Sequence, residues 1–308
     1  MYSVLFPGQG SQTVGMCKKL YQEFDYVKKL FLKADQLLEL NLSKLILEGP
    51  KENLDLTENT QPAIFLASYS IFEVLKKEKK IDISKISYFA GHSLGEYSAL
   101  TAAESINFED TIKLLKLRGK AMQTATPKGE GGMIAVLGAE LNLILNILNE
   151  NEKIYKCYVA NDNTIGQVVI SGKLNDLNLF SQDLKKNNIK NIKLPVSAPF
   201  HCELMKPATE VMKKALEETN FKDPTKKIIS NVTALESSSA NEIRNLLIQQ
   251  IESPVKWRES INFMIKKGVT KFIEIGPGKV LSGLIKRIDR NINTVSLNEI
   301  DDIQKLIF

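Results

Sequence analysis

The stretch FAGHSLGEYSAL, Phe89 to Leu100, sets a serine between two glycines where an apolar strand pattern gives way to a helical one. GHSLG fits G-x-S-x-G, in which a tight strand-to-helix turn holds the serine hydroxyl clear of the sheet while the glycines relieve crowding. The flanks suit that reading, with apolar ISYFA before the turn and EYSALTAAE after it. Ser93 is therefore a candidate nucleophile at a helix N-terminus, where free amides favour developing negative charge. A tight turn without chemistry would carry the same five residues.

A serine nucleophile needs a base, most often histidine. The chain has two, His92 and His201. His92 directly precedes the serine in the turn, so its side chain leaves the backbone in another direction. His201 is the candidate base; it lies in LPVSAPFHCELMKP, where prolines restrict a loop. The base needs an orienting partner on its other ring nitrogen. Asp162, Glu203 and Glu274 are all available for that, Glu203 being expected to face solvent, and a backbone carbonyl would also serve.

An oxyanion site needs two donors about 3 Å from the oxygen that becomes negative. The amide of Leu94, next after the serine, is the natural first. FPGQGSQ, at the end of the N-terminal strand pattern, can supply the second through Gln9 or Gln12. It can equally be a glycine-rich connection and nothing more.

The elements that must position these groups are legible from periodicity. A buried strand is expected over Tyr2–Phe6 and a helix over Thr60–Lys77, with Pro62 in its first turn. Strand, turn and helix follow around Ser93, then an amphipathic helix in FEDTIKLLKLRGKAMQTA. This alternation favours a parallel sheet. From 132 to 195 the order is strand, helix, two strands around a turn at Asp162 to Gly166, helix, strand, which is the ferredoxin-like arrangement. Buried strands resume in KKIISNVT and VTKFIEIGPG, with helices at 203–218, 239–251, 257–267 and 279–288. The expected fold is α/β: an α/β-hydrolase-like core with a parallel sheet, 1–128 and 198–308, interrupted by a ferredoxin-like small subdomain at 129–197.

Composition narrows the class. With 308 residues and 43% hydrophobic content, the chain can bury a full core. Its net charge of +5 comes from lysines interleaved with acids, without the aromatic or arginine-rich stripe of a nucleic-acid groove. Cys17, Cys157 and Cys202 show neither disulfide nor zinc-ligand spacing, so no metal and a reducing setting are expected. No apolar run approaches the roughly 18 residues of a membrane span. The first residues enter a strand at once, without leader features. A cytoplasmic protein, not bound to membrane or nucleic acid, is the expectation.

FPGQGSQ, NTQPAI, GHSLGEYSAL, KLRGKAMQ, GQVVISG, PVSAPFHCELMKP, SPVKW and EIGPGKVLSGLIKR occur in that order, from residue 2 to about 298. Together they resemble the malonyl-CoA:acyl carrier protein transacylases of bacterial type II fatty-acid synthesis. The resemblance implies that Ser93 is acylated, that His201 is its base, and that Gln12 and the Leu94 amide are the oxyanion donors. It implies that the main-chain carbonyl of Gln250 orients the histidine. On spacing alone, Arg118 is a solvated charge on a basic amphipathic helix. The resemblance makes it the residue that grips the malonyl carboxylate, a task suited to a planar guanidinium. Met122, at i+4, would face the same pocket. Phe200 stands where related acyltransferase domains discriminate α-substituents; a packed loop aromatic is the alternative.

The implied reaction moves malonyl from malonyl-CoA to Ser93 and on to the phosphopantetheine thiol of acyl carrier protein. It needs no metal and no resident cofactor. Acyl carrier proteins are acidic, so Lys286 and Arg287 are candidate docking cations. Two other readings share part of this pattern: a thioesterase or esterase with the same turn and base, and an idle acyl- or carrier-binding module.

Overall fold

The computed structural model describes residues 1–196 and 198–306; residue 197, at the expected end of the insertion, and residues 307 and 308 lie outside the described residues. Strand β1 (Tyr2–Phe6) is buried throughout, as expected of a strand covered on both faces. It leads into a helical arm of α1 (Lys18–Glu23), α2 (Asp25–Leu38), α3 (Leu42–Glu48) and α4 (Lys51–Leu54), then the long α5 (Thr57–Lys77). Next come β2 (Ile86–Gly91), α6 (Gly95–Ala102) and α7 (Phe108–Thr124). The middle segment runs β3 (Gly131–Leu137), α8 (Leu141–Glu150), β4 (Cys157–Thr164), β5 (Gln167–Lys173), α9 (Leu174–Lys186) and β6 (Lys190–Lys193). The remainder is α10 (Lys206–Glu218), β7 (Lys227–Ile229), β8 (Glu236–Ser237), α11 (Ala240–Gln250), α12 (Trp257–Lys266), β9 (Lys271–Ile275), α13 (Val280–Ile288), β10 (Asn293–Leu297) and α14 (Ile300–Gln304).

The protein is mixed α/β. One sheet has the order β10-β9-β1-β2-β7-β8; its first five strands are parallel, and β8 returns antiparallel on β7. Alternation along the strands divides the core. Val4, Phe6 and Phe89 pack in the larger cluster with α5, while Leu5, Tyr88 and Ala90 pack with Trp257 and Ile261 of α12. β1 and β2 end together, with Phe6 opposite Gly91, so FPGQGSQ and GHSLG leave the same sheet edge. That edge, at the carboxyl ends of parallel strands, is where α/β folds build their sites.

The second sheet, β4-β5-β3-β6, is antiparallel. Ile134, Val136, Val168 and Ile170 face α8 and α9 in a core of their own, whereas Met133, Ala135 and Val169 join the larger cluster. The segment is pinned to the rest by Val255, which accepts from the Asp162 amide at 3.0 Å and donates to the Ala160 carbonyl at 2.8 Å. Arg258 of α12 completes the join, gripping both carboxylate oxygens of Asp162.

Two expectations about elements change. α5 begins at Thr57, one turn early, so Pro62 lies inside the helix. The side chains of Asn59 and Thr60 tie the added turn to the carbonyls of Asn53 and Leu54. β4 runs on to Thr164, so Asp162 and Asn163, which read as turn formers, are strand residues. Their polar groups are met inside the fold, by Arg258 and by His92.

Glycine is required where the first sheet meets α6. A Cβ at Gly95 would stand 2.3 Å from the Phe6 carbonyl oxygen, and one at Gly91 would stand 2.0 Å from the Gly95 carbonyl carbon. Gly95→Ala is therefore expected to destabilise by about 3 kcal/mol, at the upper end of overpacking costs. Gly283 of α13 has open space around it, and Gly283→Ala is expected to be neutral or stabilising by up to about 1 kcal/mol. Denaturant melts of the two variants check the contrast.

Candidate active site

Ser93 is held at φ 53, a left-handed conformation that costs a non-glycine residue roughly 1 kcal/mol or more. The Asn231 side chain stabilises it there, its Oδ1 accepting from the Ser93 amide at 2.7 Å and its Nδ2 donating to the Gly91 carbonyl. The result is a half-buried Oγ above the N-terminus of α6. His201, also at positive φ (58) and buried, places Nε2 2.8 Å from that Oγ. Its Nδ1 lies 2.8 Å from the main-chain oxygen of Gln250. A carbonyl can only accept, so the proton sits on Nδ1 and Nε2 is left as acceptor for the serine hydroxyl. Burial, and next the charge of Arg118, push the imidazole down to about 3, keeping it neutral and ready to accept.

None of the three acids considered from sequence reaches the histidine. Asp162 is taken by Arg258, and Glu203 lies at the surface with Lys156. Glu274 is buried but caps α13, accepting from the amides of Leu281 and Ser282.

Arg118 is not a surface charge: it is wholly buried. Gly119 allows this, because α7 passes so close to the start of α5 that a Cβ there would meet the Thr57 carbonyl at 2.5 Å. Its guanidinium donates to Gln61 Oε1 (2.8 Å), Gln250 Oε1 (2.9 Å) and Ser93 Oγ (3.2 Å), and lies 5.6 Å from the Tyr97 ring centre. No carboxylate is among these partners, and Nε has none among the described residues. A buried cation whose direct hydrogen-bond partners are all neutral is able to hold an anion.

The Leu94 amide has no partner among the described residues and starts the turn into α6, so it is free to donate. Gln12 is a correction. Its Nε2 donates to Asp55 at 2.9 Å and its Oε1 accepts from the Gly10 amide at 2.8 Å, so both ends are spent in folding the loop. Gln9 faces the cleft instead, with Ser93, Leu94 and His201, and among the described residues its side chain makes only a 3.3 Å bond, to Thr57 Oγ1. Gln9→Ala is expected to slow acylation about tenfold or more, and Gln12→Ala to leave its rate within about twofold while loosening the loop. Stopped acylation of each variant, read as mass gain at Ser93, checks the difference.

Met122 and Phe200 line the same cleft, of about 100 Å³, and Gln61 Nε2 sits 3.8 Å from the Met122 sulfur. Met133, Asn161, Leu194 and Val196 close it from the four-stranded side. His92 borders it but bonds Asn163 through Nε2 at 2.8 Å and leans on Trp257, so it is not aimed at the serine. A larger hollow of about 450 Å³, near Tyr69, Glu104 and Lys222, contains neither Ser93 nor His201. Among the described residues no group of His, Cys, Asp or Glu is arranged to hold a metal, and no helix is long and apolar enough to cross a membrane.

Sequence reasoning missed Gln61, Asn231, Glu96 and the side chain of Gln250. All lie in helices or a loop that spacing alone reads as packing. Gln61 in NTQPAI and Glu96 in GHSLGEYSAL lie inside the motifs that carry the resemblance, and that is their signal.

Comparison with known proteins shows the family. A family profile described as acyl transferase domain matches residues 4–300. The malonyl CoA-acyl carrier protein transacylase of Bacillus subtilis (strain 168) is 45% identical over 98% of this chain and 95% of its own. That of Haemophilus influenzae is 41% identical, covering 97% and 96%. Among solved structures, an acyl-carrier-protein S-malonyltransferase from Bartonella henselae superposes with a TM-score of 0.95 at 39% identity, over 98% and 97% of the two chains. A type II PKS malonyl transacylase, solved in complex with its acyl carrier protein, gives 0.95 at 37% identity over 99% and 98%. The chain belongs to the acyl transferase family, among its malonyl CoA-acyl carrier protein transacylases.

Proposed function

We propose that this protein transfers malonyl from malonyl-CoA to the phosphopantetheine thiol of acyl carrier protein, through an ester on Ser93. Its relatives named for that reaction, and one solved with its carrier, support the assignment of substrate and partner. The observation that carries it is Arg118, a buried guanidinium with no anion in direct contact, 3.2 Å from the candidate nucleophile.

In the first half-reaction Ser93 Oγ attacks the thioester carbonyl as His201 Nε2 takes its proton. The Leu94 amide and Gln9 receive the oxyanion, and Arg118 holds the distal carboxylate. The proton then passes to the departing CoA sulfur. In the second, His201 takes the proton of the carrier's thiol, whose sulfur attacks the serine ester, and returns it to Oγ. Gln250 orients the base through its carbonyl. Met122 packs along the acyl chain, and Phe200 limits space at the α-carbon. The chemistry as drawn uses no metal and no resident cofactor.

We read the parallel-sheet portion, 1–128 and 198–308, as an α/β-hydrolase-like subdomain and 129–197 as a ferredoxin-like one, with the cleft between them. The βαββαβ order and the antiparallel β4-β5-β3-β6 sheet support the second assignment. The carrier would approach past α13. There Arg287 spans to Gln167, while Lys286 is turned onto the carbonyls of Arg290 and Ile292, which leaves Arg287 the better docking cation. We read the enzyme as cytoplasmic, in keeping with CoA and carrier-protein substrates.

Intact mass tests the proposal. Brief exposure to malonyl-CoA should add one malonyl group, and addition of holo acyl carrier protein should move it to the carrier. Loss to water would indicate a thioesterase, and no mass gain an idle binding module; either overturns the reading.

A further inference from the structure

Beneath the nucleophile turn lies a carboxylate that the reaction above does not use. Glu96, on the first turn of α6, is 2% exposed. Its Oε2 accepts from the Asn231 amide at 3.0 Å and from Gln250 Nε2 at 2.8 Å. The same Gln250 amide offers Oε1 to Arg118 at 2.9 Å. One glutamine side chain thus joins the buried glutamate to the buried arginine, oxygen toward the cation and nitrogen toward the anion. The orientation is the one that both charges favour.

Few other charges face this carboxylate. From α7 there is Arg118; from α6 itself the Tyr97 hydroxyl; beyond Gln250 the neutral His201 imidazole. β1 and β2 contain no charged residue, and the α5 acids Glu58 and Glu73 are matched by Lys116 and Lys76. Glu96 is therefore the anion that balances Arg118 when no substrate is present, at one amide's remove.

We infer that Glu96 is a proton-exchanging counter-ion of the acyl site: arrival of the malonyl carboxylate on Arg118 displaces its charge, and Glu96 takes up a proton from solvent. The inference rests on the malonyl-transfer reading. Two anions sharing one buried cation are unfavourable, and the interior relieves this by neutralising one of them. The substrate's acid is intrinsically the stronger and touches the guanidinium directly, so the glutamate yields. Burial already pushes Glu96 up to about 7, so the exchange falls within the working range of pH. The net reaction is malonyl-CoA, enzyme and one proton giving malonyl-enzyme, with Glu96 protonated, and CoA thiol. An acyl group without a distal carboxylate requires no such proton.

The sign sets the pH dependence. Below the free-enzyme value Glu96 is already protonated, so nothing is taken up and Arg118 awaits an anion unopposed. Above it the ionised glutamate competes, and malonyl binding weakens as pH rises. Glu96 is a positioning residue for specificity, acting through Gln250 and Arg118.

The test is proton uptake during malonylation in weak buffer with an indicator dye, alongside intact mass on the same samples. At about pH 7.5, wild type should take up roughly half a proton per malonyl group if the Glu96 value rises by one unit, levelling off at about three-quarters of a proton for larger rises. Glu96→Gln retains the two acceptor contacts and should take up none; the slight proton release from ionisation of the freed CoA thiol is common to both proteins. That variant also isolates any uptake by His201. Equal uptake by the two proteins overturns the inference. Should the variant not fold, the wild-type profile decides: uptake near zero at about pH 5 and largest between about pH 7 and 8 supports it, and a flat profile overturns it. Absence of malonyl mass would sink the transfer reading instead, so the two failures are distinguishable.

Discussion

Arg118→Ala is expected to lower acylation of Ser93 by malonyl-CoA roughly 10²- to 10³-fold while leaving acylation by acetyl-CoA unchanged or faster. The guanidinium is buried, its contacts are neutral, and its Nε has no partner among the described residues. A malonyl carboxylate would meet it in a water-poor cleft, where breaking a buried ion pair costs about 3–5 kcal/mol. Acetyl offers no anion, and the wild-type site binds it at the expense of a cation left without a directly bonded carboxylate. Arg118→Lys should fall between the two, since an ammonium cannot bind the carboxylate bidentately. The measurement is the malonyl-to-acetyl ratio of acylation rates, read by mass, with melting curves to confirm the fold. Equal losses for both thioesters would make Arg118 a structural residue that supports Gln61, Gln250 and Tyr97.

Ser93 was visible because the turn that exposes it needs Gly91 and Gly95, and close backbone contact leaves glycine as the only solution there. His201 was visible because the chain has only two histidines and the other is fixed in the turn. β1, β2 and the middle segment were visible because buried strands and amphipathic helices have different periods. Arg118 was not visible from spacing. KLLKLRGK has the charge density of a solvated helix face, and its burial depends on Gly119 letting α7 close on α5, a tertiary event. The misassignment of Gln12 has a similar cause. Two glutamines three residues apart in a glycine loop are equivalent on paper, and only the Asp55 contact, from a distant helix end, separates them. Polar residues in β4 likewise read as a turn because Arg258 and His92, their partners, lie about 70 to 100 positions away in sequence.

The other large effect is expected at the base. His201→Ala should slow malonylation of Ser93 roughly 10²- to 10⁴-fold, the range general-base catalysis supplies. The loss should fall on the chemical step and leave substrate binding nearly intact, because Arg118, Gln9 and the Leu94 amide do not depend on the imidazole for position. Wild type adds a pH signature. Burial and the Arg118 charge hold the free imidazole well below its ordinary range, and a carboxylate on Arg118 would offset the second of these. The neutral, accepting form therefore persists into acid, and the acid limb of the acylation rate should lie below the usual histidine value of about 6.5. A limb at about 6.5 would mean that solvent reaches the ring in the working enzyme. Near-normal labelling of His201→Ala would remove it as the base, and with it the need for the Gln250 carbonyl that fixes the proton on Nδ1.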